Sequence, residues 1–441
     1  FTYTNEQMSA KSQLKKLLPT KVFRAVEPYG HLVEAFVVNL LNGFPGKGLK
    51  VIGVTGTNGK TSTSMLIYKM LDSSGYKTGL MTTIEWGIGG ELYTQEEHYT
   101  NVPVRELMGR LKQMKKAKVD WLVLETTSQG LSQHRVFGID FSVAVITNLT
   151  HEHLDYHGTF ANYRSAKQKL FKLANRNRSG LRTGVVNADD DNYEYFAGVV
   201  ENKILYGINK GDLRAKDIDL KATGSTYVAE IDGDKYKIKC NLPGSFNVYN
   251  SLAAIGVGRA VGLSKEQIES GIASLKSVKG RMTEINEGQD FEVIVDFAHT
   301  PDSFEKLFKD IKPLVKGRLI VMFGSPGRRD VAKRAAQGDL AGKYADLIVL
   351  TEEDDRDVDG MAIIKQIVSG VEKHGRKLDK DYFVVRDRTE AISFTFRLAK
   401  KGDVVLLLGK GHERTIESND GTHPWDEIRT AHDALKAIVK K

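Results

Sequence analysis

The sequence predicts an α/β protein built on two open, mostly parallel sheets, and three observations carry that reading. From about residue 50 onward, short β-branched and aliphatic runs alternate with segments of helical periodicity, the pattern of strand–helix–strand units. A second series of the same kind begins near Lys279, after the turn "SVKGR". At 441 residues the chain is long enough for two or three cores of ordinary domain size.

In the first series "KVIGVTG", "DWLVLET" and "SVAVITN" read as buried parallel strands, and helices are expected over 61–74, 103–117 and 159–174. The stretch "STYVAEIDGDKYKIKC" (225–240) alternates polar and apolar residues around Asp-Gly, which predicts a β-hairpin on the same domain. In the second series "FEVIVDFAH", "RLIVMFG", "ADLIVLT", "DYFVVRD" and "DVVLLLG" read as strands. A boundary near 278 divides a central domain (50–278) from a C-terminal one (279–441). Residues 1–49 stand apart, with an apolar helical pattern from His31 to Leu41. This stretch reads as a helix packed on the central domain; the alternative lays residues 21–45 on a membrane surface.

The apolar fraction of 41% and charged fraction of 27% are those of an ordinary globular protein. A single cysteine, Cys240, excludes an internal disulfide and a four-cysteine zinc site. That suits a reducing cytosol, so a cytoplasmic location is expected. No run approaches the roughly 18 apolar residues of a membrane span, and the N-terminus does not read as a signal peptide. The formal charge of +8 favours anionic partners. With no nucleic-acid-binding motif in view, phosphorylated or carboxylated small molecules are the expected ones.

The strongest local signal is "VTGTNGKTS", residues 54–62, which follows a strand and opens a helix. It has the form of a phosphate loop, with Val54 in the usual first-glycine position. Gly56 and Gly59 let backbone N–H groups turn toward phosphate oxygens, and the helix N-terminus adds positive potential. Lys60 would reach the β- and γ-phosphates and the Thr61 hydroxyl would ligate Mg²⁺, with Thr57, Asn58 and Ser62 completing the cradle. The first domain is therefore expected to be a P-loop domain with a mostly parallel sheet, and the second a Rossmann-like α/β domain. Glu125 ends the strand "DWLVLE", where open α/β sheets place ligands. "THEHLDYHG" brings His153 to the end of another strand, and Lys167 lies in the helix that follows.

Together with "ETTSQGLSQHRV", "NADD", "GSFNVYNSLAA", "KGRMTEI", "VDFAHTPDSFEKL" and "LLGKGHE", these stretches resemble the Mur ligase family in order from about residue 50 to 435. They are most similar to the type that adds the third amino acid to UDP-N-acetylmuramoyl-dipeptide. The resemblance implies ATP-dependent amide synthesis through an acyl phosphate, with Lys60, Glu125, His153 and Lys167 as the catalytic set. It implies one Mg²⁺ on Thr61 and Glu125 and a second on His153 and a carbamylated Lys167. Carbamylation turns a cationic amine into an oxygen donor that Mg²⁺ accepts. Asn247, Asn250, Arg281, Asp296 and His299 would meet the nucleotide. Because they lie on both sides of residue 278, ATP is expected between the domains, with hinge closure on binding.

Thr100, Thr127, Ser128 and Arg135 match positions that hold the muramoyl-dipeptide. Arg329 falls where the α-carboxylate of the incoming amino acid is expected, and Gly409 and Glu413 where its far ammonium is. Diaminopimelate-adding members carry Asp-Asn-Pro-Arg where this chain has Glu353-Asp354-Asp355-Arg356. Asp354 and Arg356 are thus expected to read the distal end of a diamino acid: diaminopimelate, or lysine or ornithine. Full-length members also carry a uridine-nucleotide-binding domain about twice as long as the stretch before residue 50, in whose place residues 1–49 stand. The alternatives are a different carboxylate donor, folylpolyglutamate-like or muramoyl-lipid-linked, and a non-catalytic, nucleotide-gated scaffold of cell-wall synthesis. A monomer is expected.

Overall fold

The computed structural model describes residues 20–95, 100–221 and 223–439, so residues 1–19 of the N-terminal segment lie outside the described residues. In the first part of the chain β1 (Val51–Thr55), β2 (Thr78–Met81), β3 (Glu85–Ile88), β4 (Glu91–Thr94), β5 (Trp121–Glu125) and β6 (Phe141–Ile146) join one sheet. The same sheet takes β7 (Thr183–Asn187), β8 (Asn202–Gly207), β9 (Leu213–Lys221), β10 (Gly224–Ile231) and β11 (Asp234–Cys240). Its order is β11-β10-β9-β8-β7-β6-β1-β5-β2-β3-β4. The strip from β9 to β2 is parallel, with antiparallel strands at both ends. The expected hairpin is β10–β11, turned at Asp232 and Gly233, both at positive φ as a two-residue turn demands.

β1 is completely buried because helices cover both faces of the sheet. Ile52 and Val54 pack with Leu66, Ile67, Leu252 and Ile255 on one side. Val51 packs with Leu111, Phe141 and Phe171 on the other. β1 lies between β5 and β6, so the chain diverges to either side of it, and the crevice above its C-terminal end is where such sheets bind ligands.

The helix Thr20–Leu41 packs on this body, as the first of the two sequence readings had it. Ala35, Val38 and Asn39 are buried, the Asn39 amide donates to the Phe137 carbonyl at 3.1 Å, and the Phe36 ring meets Phe137 edge-on. Tyr29, Val33, Leu40 and Leu41 remain exposed on its other side. Among the described residues no helix is long and apolar enough to cross a membrane.

Residues 275–283 carry the chain into a second sheet: β12 (Thr283–Glu284), β13 (Glu292–Asp296), β14 (Leu319–Phe323), β15 (Leu347–Leu350), β16 (Tyr382–Val384) and β17 (Val404–Leu408). The order is β12-β13-β17-β14-β15-β16, all parallel except β12, with a core on each face. A separate hairpin, β18 (Thr415–Ser418) and β19 (Gly421–Pro424), folds beside the loop after β15. The loops after β1, β5 and β6 face those after β13, β14, β15 and β17 across a cleft of ≈ 690 Å³. Contacts that span it include Asn58 Nδ2, which donates to Asp302 Oδ2 at 2.9 Å, and His299 Nε2, which stands 3.3 Å from Glu152 Oε1.

Candidate active site

The phosphate loop leaves β1 at Thr55 and enters the helix Lys60–Ser73. Gly59 has φ 82°, and a Cβ there would stand 2.3 Å from Asn250 Oδ1, so only glycine fits. The side chains of Thr61 and Ser62 occupy the first turn, whose backbone N–H groups have no intrahelical acceptor and suit an anion. Lys60 Nζ donates to the Thr57 carbonyl of its own loop at 2.9 Å. Burial pushes its ammonium down from the usual lysine value, against the pull of Glu125 and Glu152. A polyphosphate would supply the counter-charge that this buried lysine needs.

Glu125 is almost completely shielded at the end of β5. Its Oε2 accepts from Thr61 Oγ1 at 3.1 Å and from the Thr83 N–H at 3.0 Å, and its Oε1 accepts from Thr83 Oγ1 at 3.0 Å. Thr83, which the sequence patterns did not single out, also meets Thr100 Oγ1 at 2.8 Å. A hydroxyl and a carboxylate converging beside the phosphate loop are hard oxygen donors of the kind Mg²⁺ takes. Among the described residues no group of three or more His, Cys, Asp or Glu forms a cage. Mg²⁺ habitually completes its shell with phosphate oxygens and water, so the Thr61–Glu125 pair fits it.

The second expected pair differs. His153 lines the cleft from a left-handed backbone, φ 56°. Lys167 does not line it: the Nζ donates to the Gly56 carbonyl at 2.7 Å and lies 4.6 Å from the Tyr163 ring centroid. An unmodified amine in this position is no metal ligand. Burial, aided by Lys60, pushes its pKa well below the usual lysine value. Glu152, another residue the sequence reading missed, sits between His153 and His299, at 3.7 and 3.3 Å. Burial alone would raise its carboxyl, but His153, His299 and Lys333 together hold it below the usual range.

Thr57, Asn58, Asn250, Arg281, Asp296 and His299 line the cleft as expected for nucleotide contacts, but Gly56 and Asn247 do not. Gly56 is pressed against Thr147, and Asn247 stands behind Asn250. The Asn247 amide donates to the Pro243 carbonyl at 2.7 Å while its oxygen accepts from Asn250 Nδ2 at 2.8 Å, so it orients Asn250 rather than reaching a ligand. Arg281 stacks over Phe297 at 4.3 Å and points its Nη2 toward Thr61 Oγ1 at 3.5 Å. Asp296 accepts the N–H groups of Met282 and Ala298, each at 2.7 Å.

Thr100, Thr127, Ser128 and Arg135 gather at one end of the cleft. Thr127 caps the short helix Ser128–Ser132 and is held by Asn101, whose Oδ1 accepts both its N–H and its hydroxyl. Ser128 Oγ lies 2.9 Å from His157 Nε2. At the other end stand Arg329, Glu353, Asp354, Arg356, Gly409 and Glu413. Asp354 lines the cleft and is also bonded within the protein. Its Oδ1 accepts from Lys410 Nζ at 2.9 Å and from the Glu417 N–H at 3.0 Å. Lys410, fully buried, also pairs with Glu413 at 2.6 Å. The neighbour Glu353 lines the cleft as well, and its buried Oε2 has no hydrogen-bond partner. At Gly409, φ 102°, a Cβ would stand 2.7 Å from that oxygen, so only glycine fits there.

A phosphate loop on one parallel sheet, facing a charged pocket on a second, fits the class of nucleotide-dependent phosphoryl-transfer enzymes. Residues 54–258 match the Mur ligase middle domain, and residues 280–411 match the Mur ligase glutamate ligase domain. A UDP-N-acetylmuramyl-tripeptide synthetase of Roseiflexus sp. (strain RS-1) is 40% identical over 408 residues, 90% of this chain and 80% of its own. A UDP-N-acetylmuramoyl-L-alanyl-D-glutamate–2,6-diaminopimelate ligase of Clostridium acetobutylicum is 39% identical over 398 residues, covering 89% and 80%. A solved structure of a ligase of that second name superposes with a TM-score of 0.61 at 30% identity, over 89% of this chain and 79% of that one. The chain belongs to the Mur ligase family.

Proposed function

We propose that this chain joins the amine of a diamino acid to the D-glutamate carboxylate of UDP-N-acetylmuramoyl-L-alanyl-D-glutamate, with ATP cleaved to ADP and phosphate. The observation that carries this reading is the sharing of one cleft: the phosphate loop, the Thr100–Arg135 group and the Arg329–Glu413 group all open into it. The donor carboxylate attacks the γ-phosphorus and forms an acyl phosphate as ADP leaves. The free amine adds to the carbonyl carbon, and the tetrahedral intermediate collapses to amide and phosphate, with the amine proton passing to solvent or a nearby base.

Such transfer depends on positioning and charge neutralisation. Lys60 and Arg281 stand where charge gathers on the transferred phosphoryl group, and Asn250 and Asp296 orient the nucleoside. Thr127, Ser128 and Arg135 hold the donor, and Arg329 takes the α-carboxylate of the acceptor through its guanidinium fork. Mg²⁺ held by Thr61 and Glu125 would neutralise phosphate charge and polarise the γ-phosphoryl group. Lys167, a buried amine with a lowered pKa, is the chemical form that combines with CO₂, releasing a proton and leaving a carbamate. That anion beside His153 would supply the second oxygen-donor site. The nucleotide draws the two sheets together, and the enzyme works as a cytoplasmic monomer.

Amine-stimulated phosphate release tests the reading, with Mg·ATP, UDP-N-acetylmuramoyl-L-alanyl-D-glutamate and a panel of diamino acids. Release that depends on both donor and amine, and that falls by roughly 10²–10³ in Lys60→Ala, is the expected result. Phosphate release indifferent to every amine would rule the ligase assignment out.

A further inference from the structure

Recognition of a second carboxylate on the incoming amine would depend on Arg356, and its guanidinium is already engaged. Nε donates to Glu417 Oε2 at 2.6 Å, and Nη1 donates to the Gly327 carbonyl at 2.6 Å. A guanidinium grips a carboxylate with two parallel N–H groups, either Nε with Nη2 or Nη1 with Nη2. The Nε–Nη2 edge is therefore taken at Nε by Glu417, one N–H of Nη1 is taken by Gly327, and Asp354 Oδ2 stands 3.9 Å from Nη2. The backbone locks the arrangement: the Arg356 N–H donates to the Glu417 carbonyl at 3.0 Å, at φ 57°. Glu417 reaches this place from β18, in the hairpin that lies outside the second sheet.

The surrounding charges point the same way. Lys410 is bracketed by Asp354 and Glu413, and Lys333 Nζ turns to the His299 carbonyl at 3.4 Å. Glu353, Asp354 and Glu413 line this end together, and the buried Oε2 of Glu353 has no hydrogen-bond partner. That oxygen suits an ammonium.

We infer that Glu417 is a built-in carboxylate that occupies Arg356, so that the acceptor pocket selects a diamino acid with a single carboxylate, of the lysine or ornithine kind. An amine bearing a second carboxylate at its far end, such as diaminopimelate, meets a neutralised arginine. The inference rests on the ligase reading for the identity of the pocket. The opposite role, in which Glu417 merely steadies Arg356 for a substrate carboxylate, predicts the opposite sign when Glu417 is removed.

Calorimetric binding of lysine, ornithine and diaminopimelate to the full chain with Mg·ADP and the muramoyl-dipeptide donor separates the two. Wild type should bind lysine or ornithine about tenfold or more tighter than diaminopimelate, the scale of one charge-assisted hydrogen bond. Glu417→Gln and Glu417→Ala should each raise diaminopimelate affinity relative to lysine by a similar factor. A wild type that prefers diaminopimelate, a loss of its binding in the Glu417 variants, or no binding of any diamino acid would overturn the inference. If the Glu417 variants do not fold, Arg356→Gln decides. Diaminopimelate affinity should then change by less than about threefold, whereas a tenfold fall means that Arg356 grips the substrate. Selective binding without amine-dependent phosphate release would count against the ligase assignment alone.

Discussion

Arg388 holds the Glu427 carboxylate in a two-pronged grip, Nε to Oε2 at 2.8 Å and Nη2 to Oε1 at 2.7 Å, with both side chains fully shielded from solvent. The same guanidinium donates to the carbonyls of Glu352 at 3.0 Å and Leu408 at 2.8 Å. Those carbonyls immediately precede Glu353 and Gly409, so one buried arginine fixes the backbone that leads into both cleft-lining residues. Arg388→Met leaves Glu427 buried without its counter-charge, with the Trp425 indole N–H still donating to Oε2 at 2.8 Å, and should destabilise the second domain by about 3–5 kcal/mol in denaturant unfolding. Arg388→Lys keeps the charge but loses the fork. In that variant the KM for the amine should rise more than the KM for ATP; an equal rise would deny the positioning role.

Glu353 is expected to meet the ammonium at the far end of the amine. Glu353→Gln keeps the shape and removes the charge. Its KM for the amine should increase by roughly 10–100-fold, the worth of one hydrogen bond to a charged group, while the KM for ATP stays within a small factor. Burial raises the Glu353 carboxyl above the usual range, so in the amine-free protein it ionises only at higher pH than a free glutamate. Amine affinity should accordingly weaken as pH falls through that raised value.

Glu152 carries the reverse shift. Its carboxyl is held below the usual range by His153, His299 and Lys333 against the opposing effect of burial. The folded protein therefore binds fewer protons there than the unfolded chain between the two pKa values. The stabilisation is fully present above the unfolded value, about 4.3, and is lost as pH falls toward the folded one. Glu152→Gln should lower stability by about 1–3 kcal/mol at neutral pH, with the gap to wild type closing in acid. Melting temperatures of both proteins between neutral pH and acid would reveal a constant gap if the pairing were unimportant.

Lys167 should take up CO₂. Incubation with ¹³C-bicarbonate is expected to give a carbamate carbon signal that is absent in Lys167→Met. Carbamate formation needs the neutral amine and releases a proton, so the signal should grow as pH rises and disappear as pH falls. A spectrum identical in the two proteins at every pH would leave Lys167 as a plain amine bonded to Gly56.

Much of the architecture is written in local pattern. "KVIGVTG" and "DVVLLLG" are buried strands because a sheet covered on both faces needs continuous apolar runs, and β1 and β17 are such strands. The Asp-Gly turn foretold β10–β11, since its two positive-φ positions suit those residues. Strands β3 and β9 carry no such signal: they are short or half-exposed, and partners rather than composition hold them in the sheet. The phosphate loop was equally legible, because Gly59, Lys60 and Thr61 act within a few residues of one another. Thr83, Asn101, Glu152 and Lys410 were not legible, since each becomes meaningful only through a partner that the fold brings up to it.

The α/β class, the phosphate-binding chemistry and the kinship to a ligase family are legible along the chain, because these depend on periodicity and on contiguous motifs. The fold alone gives the clustered carboxylates their different partners. Glu353 and Asp354 are neighbours of nearly the same chemistry, yet they point to different surroundings. Lys410 and Glu417, 56 and 63 residues further on, donate to Asp354, while the Glu353 Oε2 is buried with no hydrogen-bond partner. Hydrogen bonds over such separations are fixed by packing, and no local pattern foretells them.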